Sequence, residues 1–307
     1  MARRGGPAFR AAPLRVRVPA TSANLGPGFD ALGLALALYD DVVVRVTDEP
    51  GLSVDVAGVG ADHVPRNARN LVVKSMRSTF RHLGGAPAGL EVVCANRIPH
   101  GRGLGSSAAA IVAGVIAARG LVVGGSERLD ADATLALAAS LEGHPDNVAA
   151  CLRGGLTVAW TSGGRAGGVS APVSSDIAPV VFIPGSTSST KAARKLLPET
   201  VPHADAARNA GRSALLMEAL RARPDLLMVA TEDALHQQYR APAARRSAQL
   251  MAALRAAGIP AAISGSGPTV IALTTTDNRD RAAAFARRGW TVELLDIDRE
   301  GARIVAL

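Results

Sequence analysis

The stretch from residue 90 to 120 leaves the chain few choices. Residues 90–95, LEVVCA, read as a strand. PHGRGLGSSAAA follows at 99–110, and residues 106–120 read as a helix that is apolar nearly all round. Such a helix needs covering on every side, so it belongs in the interior. The glycines at 101, 103 and 105 tolerate positive φ and carry no Cβ, so the backbone there can come close to a ligand. A helix opening directly behind them presents free N–H groups and the positive end of its dipole, which makes an anion site. Ser106 and Ser107 add hydroxyls; one can cap the helix and the other can reach a phosphate or a metal. A P-loop would need a lysine here and there is none; a dinucleotide fingerprint would need glycine where Ser106 stands. On spacing alone, a glycine turn before a core helix stays open as an alternative.

At 307 residues the chain suits two domains. Hydrophobic residues make up 48% and aromatics only 3%, so the core must come from Ala, Val, Leu and Ile. A net charge of +8 raises the question of nucleic acid. The basic residues are nearly all arginine, without a run, and aromatics for stacking on bases are scarce. Attraction of an anionic small substrate explains the charge as well, and no nucleic-acid partner is expected. Cys94 and Cys151 lack metal-ligand spacing and fit buried roles in a reducing compartment. The basic N-terminus has no apolar segment behind it, and the longest apolar run, 108–118, is too short to cross a bilayer. The expectation is a cytoplasmic protein without membrane contact, with a disordered tail over residues 1–13.

Strand patterns occupy 14–18, 41–46, 52–56 and 154–160, and helical spacing covers 67–83 and 127–141. The Gly- and Ser-rich stretch 161–176 marks the domain boundary, giving domains over 14–165 and 166–307. The second half reads as a strand at 179–183 and helices at 189–196, 203–222, 226–236 and 243–257. Strands at 261–264 and 269–273, a helix at 278–288 and a strand at 292–296 complete it. That order suits a ferredoxin-like α+β sandwich.

Several polar clusters stand out. In PATSANLGPGFDALG, residues 19–33, a turn can bring Asn24 and Asp30 together for a ligand bearing ammonium and hydroxyl groups; an ordinary polar turn reads equally well. In EGHPDNV, residues 142–148, Glu142, His144, Asp146 and Asn147 crowd as a core seldom allows. Glu142 suits Mg²⁺, which takes few carboxylates and completes its shell with phosphate oxygens; a helix C-cap followed by an N-cap is the alternative. Thr190 and Arg194 share a helix face in STKAARKLLP. Arg240 ends DALHQQYR as a second candidate carboxylate clamp. Lys191, Lys195, Arg245 and Arg246 read as surface charges. SGSGPT, residues 264–269, offers another close backbone approach or a hairpin turn.

In their order, from Pro19 to Thr269, these segments resemble the GHMP small-molecule kinases. PHGRGLGSSAAA looks like the family's central phosphate motif and SGSGPT like its C-terminal glycine motif. PATSANLGPGFDALGLAL is similar to the opening signature of the branch that phosphorylates L-homoserine; the Gly-Glu-His opening of the mevalonate and galactose branches is absent. The resemblance implies a two-domain α+β fold, with an N-terminal ribosomal-S5-like α/β domain and a C-terminal ferredoxin-like domain. It implies ATP as co-substrate, Mg²⁺, a homodimer, and transfer of the γ-phosphoryl group to the side-chain hydroxyl of L-homoserine in threonine biosynthesis. A kinase for another small alcohol is the alternative, and a non-catalytic sensor would have lost the glycines or Glu142.

Position by position, the resemblance implies a triphosphate cradle from Pro99, His100, Gly101, Arg102, Gly103, Leu104, Gly105, Ser106, Ser107, Ala108 and Ala109. It places Mg²⁺ at Glu142 and Ser107 (or Ser106). It places homoserine at Asn24, Asp30, His144, Asn147, Arg194 and Arg240, with Asp30 on the amino group and both arginines on the carboxylate. Thr190 lies beside the transferred group, so Asn147, Thr190 and Arg194 are the expected catalytic contacts. Mevalonate-type relatives use an aspartate as base. Asn147 cannot take a proton, so no side-chain base is expected, and Asp146 is the residue that would overturn this. Arg102 is expected to face solvent.

Overall fold

The computed structural model describes residues 6–307. The first half runs β1 (Leu14–Asn24), β2 (Gly28–Thr47), β3 (Gly51–Gly58), α1 (Leu71–His82), β4 (Gly89–Asn96) and α2 (Ser106–Leu121). It continues with α3 (Gly125–Arg128), α4 (Ala131–Glu142), α5 (Asp146–Arg153), β5 (Leu156–Ser162) and β6 (Arg165–Ala171). The second half runs β7 (Val180–Pro184), α6 (Thr190–Arg194), α7 (His203–Arg221), α8 (Leu227–Ala230), α9 (Gln237–Arg240) and α10 (Arg245–Ala256). It ends with β8 (Ala261–Ile263), β9 (Val270–Ala272), α11 (Arg279–Ala283), β10 (Trp290–Leu294) and β11 (Arg303–Val305).

The larger sheet has the order β11-β1-β2-β4-β3, and β5 and β6 extend it from the distal part of the β1–β2 hairpin. As its composition requires, α2 lies inside: from Ala108 to Ala118 all but Ala110 are buried. It packs beside α1 so closely that a Cβ on Gly114 would collide with the Val72 carbonyl. α1 starts on the Asn70 side chain, which accepts from the Val72 N–H, and turns Val72, Val73, Met76 and Phe80 inward. The smaller sheet has the order β10-β7-β9-β8, all antiparallel. Its strands stand last, first, third, second, which is the ferredoxin-like arrangement expected. β7 is buried along its whole length and alternates between two cores. Val181 and Ile183 join the core that runs through the first half, while Val180 and Phe182 pack under α10 with Leu250 and Leu254. No helix among the described residues is long and apolar enough to cross a membrane.

Several expectations need correction. Residues 1–5 of the expected tail lie outside the described residues, but the rest is docked. Arg10 N–H donates to Leu121, Val123 N–H to Ala8, and Phe9 meets Phe80 edge-on with ring centroids 5.7 Å apart. The boundary placed after residue 165 falls inside a hairpin, because β6 pairs with β5 along Leu156–Ser162. β11 also returns to the first half and pairs with β1. The helix expected over 226–236 breaks after Ala230; Asp233 accepts the N–H groups of Leu235, His236 and Gln237, so the chain restarts as a new turn. The helix expected over 278–288 is reduced to α11.

Candidate active site

The segment 19–33 is ladder rather than loop. β1 and β2 stay paired to Asn24↔Gly28, with register shifts after Pro19 and Ala23. At the tip Asn24, Leu25 and Asp30 take φ of 68°, 51° and 55°, the left-handed region that non-glycine residues enter at a cost. The surroundings hold them there. The Asn24 amide donates to the Gly265 carbonyl at 2.9 Å, and its oxygen accepts the Asp30 N–H at 3.0 Å. Leu25 is fully buried. Asn24 thus ties the hairpin tip to the SGSGPT turn and turns the Asp30 carboxylate toward Arg194, which meets it with two bonds of 2.7 and 2.9 Å.

The glycine loop wedges between β1 and the same turn. Gly101, Gly103 and Gly105 have φ of 64°, 80° and 68°. A Cβ on Gly105 would collide with Thr21 Oγ1, and one on Gly103 with the Ser264 carbonyl. These glycines are therefore required by protein walls as well as by any ligand. The Thr21 N–H donates to Leu104, Ser188 to Gly101 and Thr269 to Arg102, which fixes the loop from three sides. Arg102 turns out of the cleft and donates to the Gly185 carbonyl at 3.0 Å, a tie to the end of β7 rather than the free surface position expected. Leu104 and Ala108 point into the core, and neither they, Pro99 nor Arg102 line the cleft. Neither serine caps α2: the helix starts from Gly105 with no side-chain cap. Among the described residues the N–H groups of Ser106, Ser107 and Ala108 have no partner, so an anion site is left open.

Glu142 ends α4, where Gly143 at φ 94° turns the chain, and accepts from the Ser107 hydroxyl at 2.5 Å. Burial raises the Glu142 carboxyl above its ordinary range. Asp146 opens α5 and takes His144 Nδ1 at 2.8 Å and the Asn147 N–H at 2.8 Å on one oxygen. That bond raises the His144 pKa against the opposing effect of burial. The Asn147 oxygen accepts from Thr21 at 2.8 Å, and Thr190 meets Ser266 hydroxyl to hydroxyl at 3.1 Å. Arg240 is buried, with its guanidinium carbon 5.2 Å from the centre of the Phe29 ring and its Nε without a partner. Burial, and then the charge of Arg194, lower its pKa.

These groups line one cleft of about 600 Å³. It brings together Asn24, Asp30, Gly101, Gly103, Gly105, Ser106, Ser107, Glu142, His144, Asp146, Asn147, Thr190, Arg194 and Arg240. A second, apolar cleft of about 820 Å³ opens on the other side of Ser106 and Ser107, walled by Val42, Val64, Pro65, Leu71, Cys94 and Ala110, with His100 and Ala109 at its edge. Sequence reasoning missed this cleft, because its wall is assembled from segments that each read as ordinary core. It also missed Thr21 and His236, and it brought Ser266 to a ligand only through the backbone of SGSGPT, not through its hydroxyl; the hydroxyl in PATSAN was the available signal for Thr21.

Asp40 lies in the apolar cleft and accepts the N–H groups of Arg97 at 2.6 Å and Ile98 at 2.8 Å. Burial nevertheless pushes its carboxyl up from 3.8 to about 6. The folded state therefore holds a proton that the unfolded state has released, and stability falls as pH rises from about 4 to 6. At about 1.4 kcal/mol per unit this contributes about 3 kcal/mol. Asp40→Asn, which keeps the acceptor and loses the charge, is expected to raise Tm at pH 8, with the gain vanishing near pH 4. Thermal melts of both proteins across that range check this, and a lower Tm at pH 8 would refute it.

Residues 70–155 match the GHMP kinases N terminal domain and residues 204–291 the GHMP kinases C terminal domain. A homoserine kinase of Streptomyces coelicolor is 60% identical over 302 residues, covering 98% of this chain and 97% of that one. A homoserine kinase of Clavibacter michiganensis is 51% identical, covering 95% and 93%. The crystal structure of homoserine kinase from Cytophaga hutchinsonii superposes with a TM-score of 0.82 at 26% identity, covering 99% of this chain and 100% of that one.

Proposed function

Because the chain belongs to the GHMP kinase family, we propose that it phosphorylates the side-chain hydroxyl of L-homoserine with ATP, giving O-phospho-L-homoserine. The observation that carries this reading is the Asp30–Arg194 pair with Arg240 beside it, in the same cleft as Ser107 and Glu142. An α-amino acid brings one ammonium and one carboxylate. Its ammonium takes Asp30 and its carboxylate takes Arg194 and Arg240, so the two ends of the zwitterion satisfy the two members of the Asp30–Arg194 pair without a net change of charge. The hydroxyl then reaches His144 and Asn147, beside Thr190. Homoserine kinases among the relatives support the choice of substrate.

The triphosphate lies along Gly101–Ser107 and on the open start of α2, and the apolar cleft takes the nucleoside. Among the described residues no group of at least 3 His, Cys, Asp or Glu side chains is placed to hold a metal ion by itself. Glu142 and Ser107 fit Mg²⁺ only when phosphate oxygens complete the shell, which is the way Mg²⁺ is bound in such sites. When bound there, it would neutralise charge on the phosphate oxygens. The chain's own part is positioning: a hydroxyl held in line, arginines that fix the substrate, and helix N–H groups that face the phosphates.

No side chain is assigned as base. Asp146 is the test, since it lines the cleft while Asn147 holds its oxygen on Thr21. Asp146→Asn is expected to keep kcat within about tenfold, the loss coming from the His144 orientation, where removal of a general base costs about 10²–10⁴-fold. A larger loss of kcat in a folded variant with unchanged KM assigns the base to Asp146. The substrate is tested by ADP release with ATP and Mg²⁺ against homoserine, serine, threonine, mevalonate and galactose. No turnover with homoserine overturns the reading.

A further inference from the structure

His236 is 0% exposed, yet it is not one of the groups that the substrate reading uses. Its Nε2 lies 2.8 Å from the Gly26 carbonyl oxygen. A carbonyl only accepts, so Nε2 carries the hydrogen. Its Nδ1 lies 3.2 Å from Nη1 of Arg240. A guanidinium only donates, so Nδ1 is the acceptor and the ring is neutral. Burial lowers its pKa and the Arg240 charge lowers it further, against Asp233 and, more weakly, Asp30. These are the charged groups that face the ring. Asp233 is engaged with the backbone of residues 235–237 and stands 3.7 Å from Nε2.

This arrangement decides which edge of Arg240 is available. Nη1 is held by His236 and, at 3.5 Å, lies against the Gly265 carbonyl. The Phe29 ring lies under the guanidinium and stacks on His236 with centroids 5.1 Å apart, so the plane is fixed too. Nε is buried without a partner. Among the described residues Nη2 donates to no group. Nε and Nη2 are the parallel donors that grip a carboxylate with two bonds.

We propose that His236 is a positioning residue for the substrate carboxylate: by accepting from Nη1 and anchoring on Gly26, it fixes the guanidinium of Arg240, a residue lining the cleft, and leaves Nε and Nη2 as the donors not committed to protein groups. The proposal rests on the homoserine reading above. It also links the clamp to the hairpin tip, because Gly26 follows Asn24 and Leu25 in the same turn.

The test compares homoserine with 3-amino-1-propanol, which has the same amine and hydroxyl and no carboxylate. In His236→Gln the amide reaches the Gly26 carbonyl but leaves Nη1 without its acceptor. In His236→Asn the shorter amide oxygen stands near the Nδ1 position. The Gln variant is expected to raise KM for homoserine about tenfold or more, with kcat within about threefold and with kcat/KM for the amino alcohol unchanged. The Asn variant is expected to restore most of the homoserine KM. An unchanged homoserine KM in the Gln variant, or equal losses on both substrates, overturns the proposal. If either variant does not fold, the wild-type enzyme decides. The ratio of homoserine KM to amino-alcohol KM should rise as pH falls below the ordinary histidine range, where protonation removes the acceptor. A flat ratio overturns the proposal. Wild-type protein that fails to phosphorylate homoserine refutes the substrate reading instead, and does so before any variant is made.

Discussion

Glu142→Gln is expected to lower kcat by about 10²–10³-fold while leaving the protein folded and KM for homoserine nearly unchanged. The amide has the shape of the carboxylate and can still accept from the Ser107 hydroxyl, so the contact between α4 and α2 survives. What is lost is the negative charge that, with the phosphate oxygens, would hold Mg²⁺. Burial already raises the Glu142 carboxyl, so its charge is a burden on the fold and the variant should melt no lower than wild type. Steady-state kinetics across a Mg²⁺ titration, with thermal melts as a control, separate the two effects. A kcat within about tenfold of wild type would remove Glu142 from the metal site.

Arg240→Ala is expected to cost about 2–4 kcal/mol in kcat/KM for homoserine, carried mostly by KM. The side chain is 6% exposed, so its charge acts in a desolvated setting, and its loss leaves His236 without its donor and Phe29 with only Arg194 as a cation over its ring. Lysine should not rescue the variant, because a single ammonium cannot supply two parallel donors. Initial-rate measurements with homoserine varied at saturating ATP give the answer. An unchanged KM would mean that the carboxylate binds elsewhere.

The glycine loop was legible because its signal is local: glycines where φ is positive, then a helix whose first N–H groups are free. The Asp30–Arg194 pair was not legible from spacing, since its members stand 164 positions apart, and only the family resemblance put both at one substrate. Even so, the resemblance gave each residue a charge of the ligand to hold, and the structure pairs them with each other. Turn-forming residues in SANLGPGFD pointed to a loop, whereas strand pairing runs up to Asn24 and resumes at Gly28. Pairing along β5 likewise overrode the weak strand propensity of RAGGVSA. His236 was invisible for a different reason. Nothing in DALHQQYR distinguishes a histidine that orients an arginine from one that fills a core, and the difference appears only when Gly26 arrives from the other end of the chain.

The return of the C-terminus to the first sheet has a consequence for how the molecule is made. β11 covers the edge of β1, and Asp298 beside it binds the Tyr39 hydroxyl, Arg303 and the Gly301 N–H. A chain emerging from the ribosome carries β1 long before this edge partner is made, because the strands and helices of the whole second half lie between β1 and β11. Through that interval the first domain presents an unpaired strand edge, the kind that recruits neighbouring chains. It closes only once β11 has followed the second sheet out, so the first domain becomes complete only when the second has already been built.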